Sequence, residues 1–350
     1  MLVKAAEVQI QAGNASDALS LGKKALEESQ AGSDSALASL NLLGQISLEL
    51  GEFDAARTYF LKACAIDENG TKDEEVGGGP EKFLCLAQLS EEGGKDSVSW
   101  YEKGASALKI QIQTLEDLRK RSDEQEILLD ELKKKHAMTL CAVVELYMTD
   151  LSWEEDAEQR CEMLVTEATM VAPDYAETWQ TLANVRISQQ RIDDAKAALL
   201  RSMELWKDLV TEDPSVPDFP SRVALSRLLM EVDLEQEALE VLERLVGEDD
   251  HSVEVWYLGG WGLYVMGEKQ RIENPKAEED WKASWLSSRT WLNQSQHLFA
   301  QQDYEDDRLG EHTRELLTAI AQELGDAPSG EEDNEENWED DGDSDDAMEE

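Results

Sequence analysis

His136, His251, His297 and His312 are the side chains of this 350-residue sequence best suited to moving a proton near neutral pH. They are scattered along the chain, with no nucleophile or carboxylate at a spacing that would make a catalytic set. Cys64, Cys85, Cys141 and Cys161 form no CxxC pair and lie in apolar helical patterns. They read as small buried hydrophobes of a reducing compartment, not as a disulfide or zinc framework. The glycines of "VGGGPEK" neither follow a strand nor lead into the Gly-Lys-Ser/Thr of a phosphate-cradling loop, and read as an ordinary connection. In "DDGDSDDAMEE" the acids alternate as in a calcium loop, but whichever aspartate is set first, either the glycine or the closing glutamate falls out of place. No catalysis, no cofactor and no metal site is expected. The chemistry left to the chain is recognition by carboxylates, amides and aromatic faces.

Charge sets the sign of that recognition. Asp and Glu outnumber Lys and Arg by 78 to 32, a formal net charge of -46. Residues 331–350 hold thirteen acids and no base, which leaves -33 on residues 1–330. A soluble domain needs a net charge of only about 2–8 in magnitude. Such a field repels nucleic acid and anionic membranes and draws in basic partners. No apolar run approaches the roughly 18–20 residues of a membrane span, and "MLVKAAEVQIQ" is amphipathic without a signal-peptide pattern. A soluble chain of the cytosol or nucleus is expected. The basic clusters Arg119-Lys120-Arg121 and Lys133-Lys134-Lys135 are short, sit beside acids, and read as solvated helix surface.

The elements that must position these groups follow from one stretch, "LLGQISLELGEFDAARTYFLKACAID". Small Gly44 and Ala56 alternate with large Leu43, Phe53 and Phe60, and Gly51 closes one helical pattern before the next begins. That describes two antiparallel helices packed at small residues. The same offsets recur at Ala6, Gly13, Ala18 and Ala25, at Trp179, Leu182, Ala183, Ile192, Ala195 and Leu199, and at Leu225, Ser226, Leu234, Ala238 and Leu242. These residues resemble the tetratricopeptide repeat, a helix pair of about 34 residues. The match is close at 37–70, 176–209 and 219–252, weaker at 1–33, degenerate at 80–112 and 137–174, and ends in a last first-helix marked by Trp256, Gly260 and Gly267. The fold expected is all-α: a tetratricopeptide-repeat superhelix of about seven helix pairs over 1–325, ended by a capping helix in "TRELLTAIAQEL" and followed by a disordered acidic tail at 326–350. Departures from the repeat predict a loop at 68–80, two extended helices over about 98–150 with a Ser122/Gln125 capping box on the second, and an insertion at about 267–280.

In such an array, first-helix residues not used in packing line the concave side. The frame selects Asn41, Gln45 and Glu49, then Glu177, Gln180 and Asn184, then Arg227, Met230 and Glu231, and last Glu254, Tyr257 and Trp261. Most tryptophans, among them Trp100, Trp179, Trp206, Trp281 and Trp285, fall at packing positions; Trp261 lies with Tyr257 and Tyr264 on the other stripe of its helix. Amides can bond an extended backbone, acids pair Lys or Arg, and aromatic faces take cations or apolar side chains. The lining suits a long basic peptide segment. Glu177 and Glu254 stand where a clamp for acidic chaperone tails would need positive charge.

The degenerate repeats, the long hairpin, the tryptophan-rich "WYLGGWGLYVMGEKQRIENPKAEEDWKASWLSSRTWL" and the acidic C-terminus together resemble the fungal assembly chaperones dedicated to ribosomal protein L-four of the large subunit. That resemblance implies a concave surface that shields the basic, RNA-binding internal loop of the newly made ribosomal protein until it enters pre-ribosomes. It also implies a monomeric chaperone in a one-to-one complex, without direct nucleic-acid or membrane contact, shuttling between cytoplasm and nucleus. An acidic histone chaperone and a general helical scaffold share the charge and the repeats. Binding to core histones, or salt-insensitive binding, would distinguish them.

Overall fold

The computed structural model describes residues 2–325, and every regular element among them is helical. The expected tail at 326–350 lies outside the described residues. Helix pairs follow the repeat frame: α1 (Leu2–Gln11) with α2 (Ala15–Glu28), α3 (Asp34–Glu49) with α4 (Phe53–Ile66), and α5 (Glu81–Gln88) with α6 (Gly94–Glu116). They continue as α7 (Asp123–Met148) with α8 (Ala157–Val171), α9 (Ala176–Ser188) with α10 (Ile192–Glu204), α11 (Phe219–Glu231) with α12 (Glu235–Glu248), and α13 (Val253–Glu273) with α14 (Glu278–Gln302). A last helix, α15 (Asp307–Leu324), follows. The described residues divide into two compact units, the first running to Ser221 and the second beginning at Arg222. No helix among the described residues is long and apolar enough to cross a membrane.

Small-to-large packing makes the pairs. A Cβ on Gly44 of α3 would stand 2.6 Å from the Phe60 ring of α4, so only glycine lets that buried ring close onto the helix. Removing the ring would cost about 3–5 kcal/mol. Each core hands over to the next: Ala6, Ala18, Leu42 and Ile46 join α1, α2 and α3, and Ala56, Phe60, Phe83 and Ala107 join α4, α5 and α6. Phe53, which the pattern places in the core, is 61% exposed at the start of α4, while Phe60, two turns on, takes the buried site.

The irregular segments are built with care. In the connection between α4 and α5, Asp67 Oδ2 accepts from Lys82 Nζ at 2.7 Å, and Oδ1 accepts from the backbone N–H groups of Thr71 and Lys72. Lys82 is 1% exposed and also donates to the Gly79 carbonyl. The pair fixes the loop around one 3-10 turn, Glu74–Val76. Breaking a buried pair of this kind costs about 3–5 kcal/mol. The expected long helices are α6 and α7, and the Ser122/Gln125 capping box forms. Their far end carries its own small core of Leu108, Ile112, Leu129 and Leu132. Three residues of the basic clusters pair with neighbours, Arg121 with Glu126, Lys133 with Glu116 and Lys135 with Glu81.

The segment expected as an insertion at about 267–280 is mostly helical. Helix α13 runs on through Glu273, and only residues 274–277 separate it from α14. The reason is packing: Arg271 lies over the Trp281 and Trp285 rings at 5.2 and 5.6 Å, and Trp285 stacks on Tyr264 at 5.2 Å. The polar stretch extends α13 as helix because tryptophans one helix later cover it.

Candidate functional site

In the second unit the frame residues converge. Arg227, Met230 and Glu231 of α11 and Glu254, Tyr257 and Trp261 of α13 all line one cavity of about 720 Å³. On each helix they recur at three- and four-residue steps, which keeps them on one face. The Tyr257 and Trp261 rings stack at 5.9 Å, and the His312 ring meets Trp261 edge-on at 5.6 Å. Tyr257 Oη and His312 Nδ1 are hydrogen-bonded at 2.7 Å. Burial, reinforced by the Asp306 charge, pushes the Tyr257 hydroxyl up to about 12, so it stays neutral.

Charge around the cavity is partly used. Arg227 is paired with Glu254, and Lys269 holds Asp233 at 2.5 Å and the buried Glu235 at 2.6 Å. Glu231 is exposed, with no cation against it among the described residues. The lining holds four carboxylates, Glu231, Glu235, Glu254 and Asp306, against the guanidinium groups of Arg227 and Arg308. A polar rim with an acidic excess thus surrounds aromatic faces.

Sequence reading missed the third wall. Tyr304 and the N-cap Asp306 precede α15, and Arg308, Leu309 and His312 come from its first turns; the sequence reads as a cap beginning later in the chain. The available signal was Asp306, whose carboxylate accepts from the Arg308 and Leu309 backbone N–H groups and starts the helix before "TRELL".

In the first unit the six candidates separate. Glu177 on α9 is half-buried and accepts a hydrogen bond from the Tyr175 hydroxyl. Loss of water raises its carboxyl above the ordinary range. Across from it, α7 presents Cys141 and Glu145; the Cys141 thiol is pushed up to about 11 by burial. Asn184, Gln45 and Glu49 are exposed on α9 and α3. Gln180 is instead buried, its amide directed at Ser202 Oγ 3.4 Å away, because α10 packs over that side of α9. Asn41 donates to the Gly77 carbonyl, since the loop between α4 and α5 lies against that face of α3. Both are engaged within the array, Gln180 buried and Asn41 half-buried.

The remaining histidines and the thiols do not line the cavity of the second unit. His136 is buried beside Glu167, and burial lowers its pKa. His251 sits at an exposed turn, 2.6 Å from Asp250. The four thiols are unpaired, three of them buried, and all are shifted upward by desolvation.

Comparison with known proteins agrees with this architecture. The tetratricopeptide-repeat family matches residues 1–69. A protein of Emericella nidulans named a probable assembly chaperone of rpl4 is 48% identical, the alignment covering 97% of this chain and 87% of that one. A Schizosaccharomyces pombe protein of the same name is 34% identical, over 93% of this chain and 91% of its own. The solved structure of an assembly chaperone of RpL4, Acl4, residues 1–338, superposes with a TM-score of 0.74 at 56% identity, covering 78% of this chain and 98% of that one. With identity at these levels carried along nearly its whole length, and with helix pairs in the repeat frame throughout, this chain belongs to the family of assembly chaperones of rpl4.

Proposed function

We propose that the chain is a dedicated ribosome-assembly chaperone that takes newly made rpl4 as its client and covers the client's basic, RNA-binding loop with its first-helix faces until incorporation into pre-ribosomes. One observation carries the loop-binding part: six residues chosen only by repeat position meet in a single cavity with aromatic faces and an acidic excess. A loop made to thread through RNA is rich in Lys and Arg, and before RNA is present its charges need an alternative partner. Glu231 and Asp306 supply carboxylates, Trp261 and Tyr257 supply faces for a cation or an apolar side chain, and Glu177 supplies a carboxylate in the first unit. The reading extends to a monomer in a one-to-one complex and to passage between cytoplasm and nucleus. The chain needs no cofactor and carries out no chemical step in it.

Titration of the purified full chain with the isolated basic loop of rpl4, and separately with core histones, tests the proposal at physiological salt. The loop is expected to bind at least about tenfold more tightly than histones, because fitted contacts add to charge attraction. Light scattering on the loaded sample is expected to give the mass of a one-to-one complex. Equal affinity for both clients would reduce the function to general capture of basic proteins.

A further inference from the structure

A second concavity lies in the first unit and is lined by none of the groove residues named above. It encloses about 570 Å³ between the loop joining α4 to α5 and the long hairpin of α6 and α7. Its floor is apolar: Ile110 and Leu115 from α6, Leu128 and Leu132 from α7. Ile110 is 49% and Leu128 40% exposed. One such side chain in water is ordinary, but two facing one concavity beside an acidic wall mark a surface that associates.

The wall opposite is acidic and held in place. Asp73, Glu74 and Glu75 line it. Gln111 Nε2 donates to Glu74 at 3.1 Å, and the loop behind is anchored by the buried Asp67–Lys82 pair. At its far side Gly77, at φ +77, passes so close to α3 that a Cβ there would stand 2.9 Å from Ala38 Cα. The wall is therefore preformed. Lys72, the one cation of the lining, is engaged by Asp34 at 2.6 Å, and neither Asp73 nor Glu75 has a cation against it among the described residues.

We infer that this concavity is a docking surface for a cationic amphipathic segment of a partner protein, one that sets leucine-like side chains on Ile110 and Leu128 and Lys or Arg against Asp73, Glu74 and Glu75. Charge complementarity decides the occupant: the wall repels the chain's own acidic C-terminal segment, whereas a segment with basic and apolar stripes satisfies wall and floor together. The surface shares no residue with the cavity of α11, α13 and α15, so it stands or falls apart from the groove reading.

The test uses the full chain and two fluorescent synthetic peptides of equal charge, one with Leu and Lys at helical spacing and one with each Leu replaced by Gln. The Leu peptide is expected to bind about tenfold more tightly, with new hydrogen-exchange protection over residues 110–132. Ile110→Glu with Leu128→Glu is expected to abolish that preference even though it adds two negative charges, which attraction by charge alone would reward. Ile110→Ser with Leu128→Ser, milder at exposed positions, is expected to do the same with thermal unfolding unchanged. Equal binding of the two peptides, protection falling on α13 and α15, or sedimentation showing that the patch instead joins two copies of this chain would each overturn the assignment.

Discussion

The α9 site of the first unit and the cavity of the second occupy the same position in the repeat, yet they prepare for a basic partner in opposite ways. In the second, Glu254 is already neutralised by Arg227, and what remains open is a stack of rings with exposed carboxylates at its edge. In the first, Glu177 is half-buried with no ion pair among the described residues, has a backbone N–H and the Tyr175 hydroxyl beside it, and its pKa is raised by burial. A pre-paired acid costs little in the empty protein and gives little on binding. A desolvated, unpaired acid is strained when empty and rewards an incoming cation. The first region stores electrostatic demand, while the second offers shape and aromatic surface.

The largest expected effect tests whether position in the repeat matters at all. Glu177→Lys, Glu231→Lys and Glu254→Lys together should weaken binding of the basic rpl4 loop by about a hundredfold or more, since a desolvated pair loses roughly 2–5 kcal/mol when one partner goes. Reversing Glu204, Glu240 and Glu243, exposed on second helices, changes net charge equally. It should cost no more than about 0–1 kcal/mol per site. Calorimetric titration of both triples decides, and equal losses would erase the distinction between groove and surface.

Next in size is Trp261→Ala, which addresses the second region alone. Loss of a central aromatic contact is worth about 2 kcal/mol, so affinity should fall roughly thirtyfold while the helical circular dichroism signal is kept. Unchanged affinity would make the Tyr257–Trp261–His312 cluster a packing feature and leave the carboxylates as the whole site.

The smallest effect, and the one that sharpens the contrast most, concerns Glu177→Gln. A carboxyl whose folded pKa lies above its unfolded one contributes stability that is fully present below the unfolded pKa, near 4.3, and lost as pH rises through the folded value. Replacing Glu177 by Gln should therefore raise Tm slightly at pH 7, leave it unchanged at pH 4, and weaken client binding at pH 7. Glu254→Gln should not stabilise at pH 7, because it strips Arg227 of its partner. Scanning calorimetry at the two pH values separates them, and a stabilising Glu254→Gln would end the comparison.

The helix pairs were legible because their code is local. Gly44 against Phe60, Ala56 beside it and the Ser122/Gln125 box are satisfied within one or two helices, so spacing alone reports them. The same frame led to the six residues of the second-unit cavity, since the unpacked face of a first helix follows from its period. What surrounds that face did not follow. Asn41 was lost to a loop that returns over α3, Gln180 to the packing of α10, and the segment after Gly267 became helix because Trp281 and Trp285 cover it. His312 joined the cavity from a helix 55 residues beyond Tyr257. The sequence by itself determined the repeat, the sign of the charge and which helix faces stay unpacked, because periodicity and composition act over a few residues. Only the tertiary structure decided which of those faces are open, paired or covered, because burial and ion pairing depend on segments that the chain brings together from a distance.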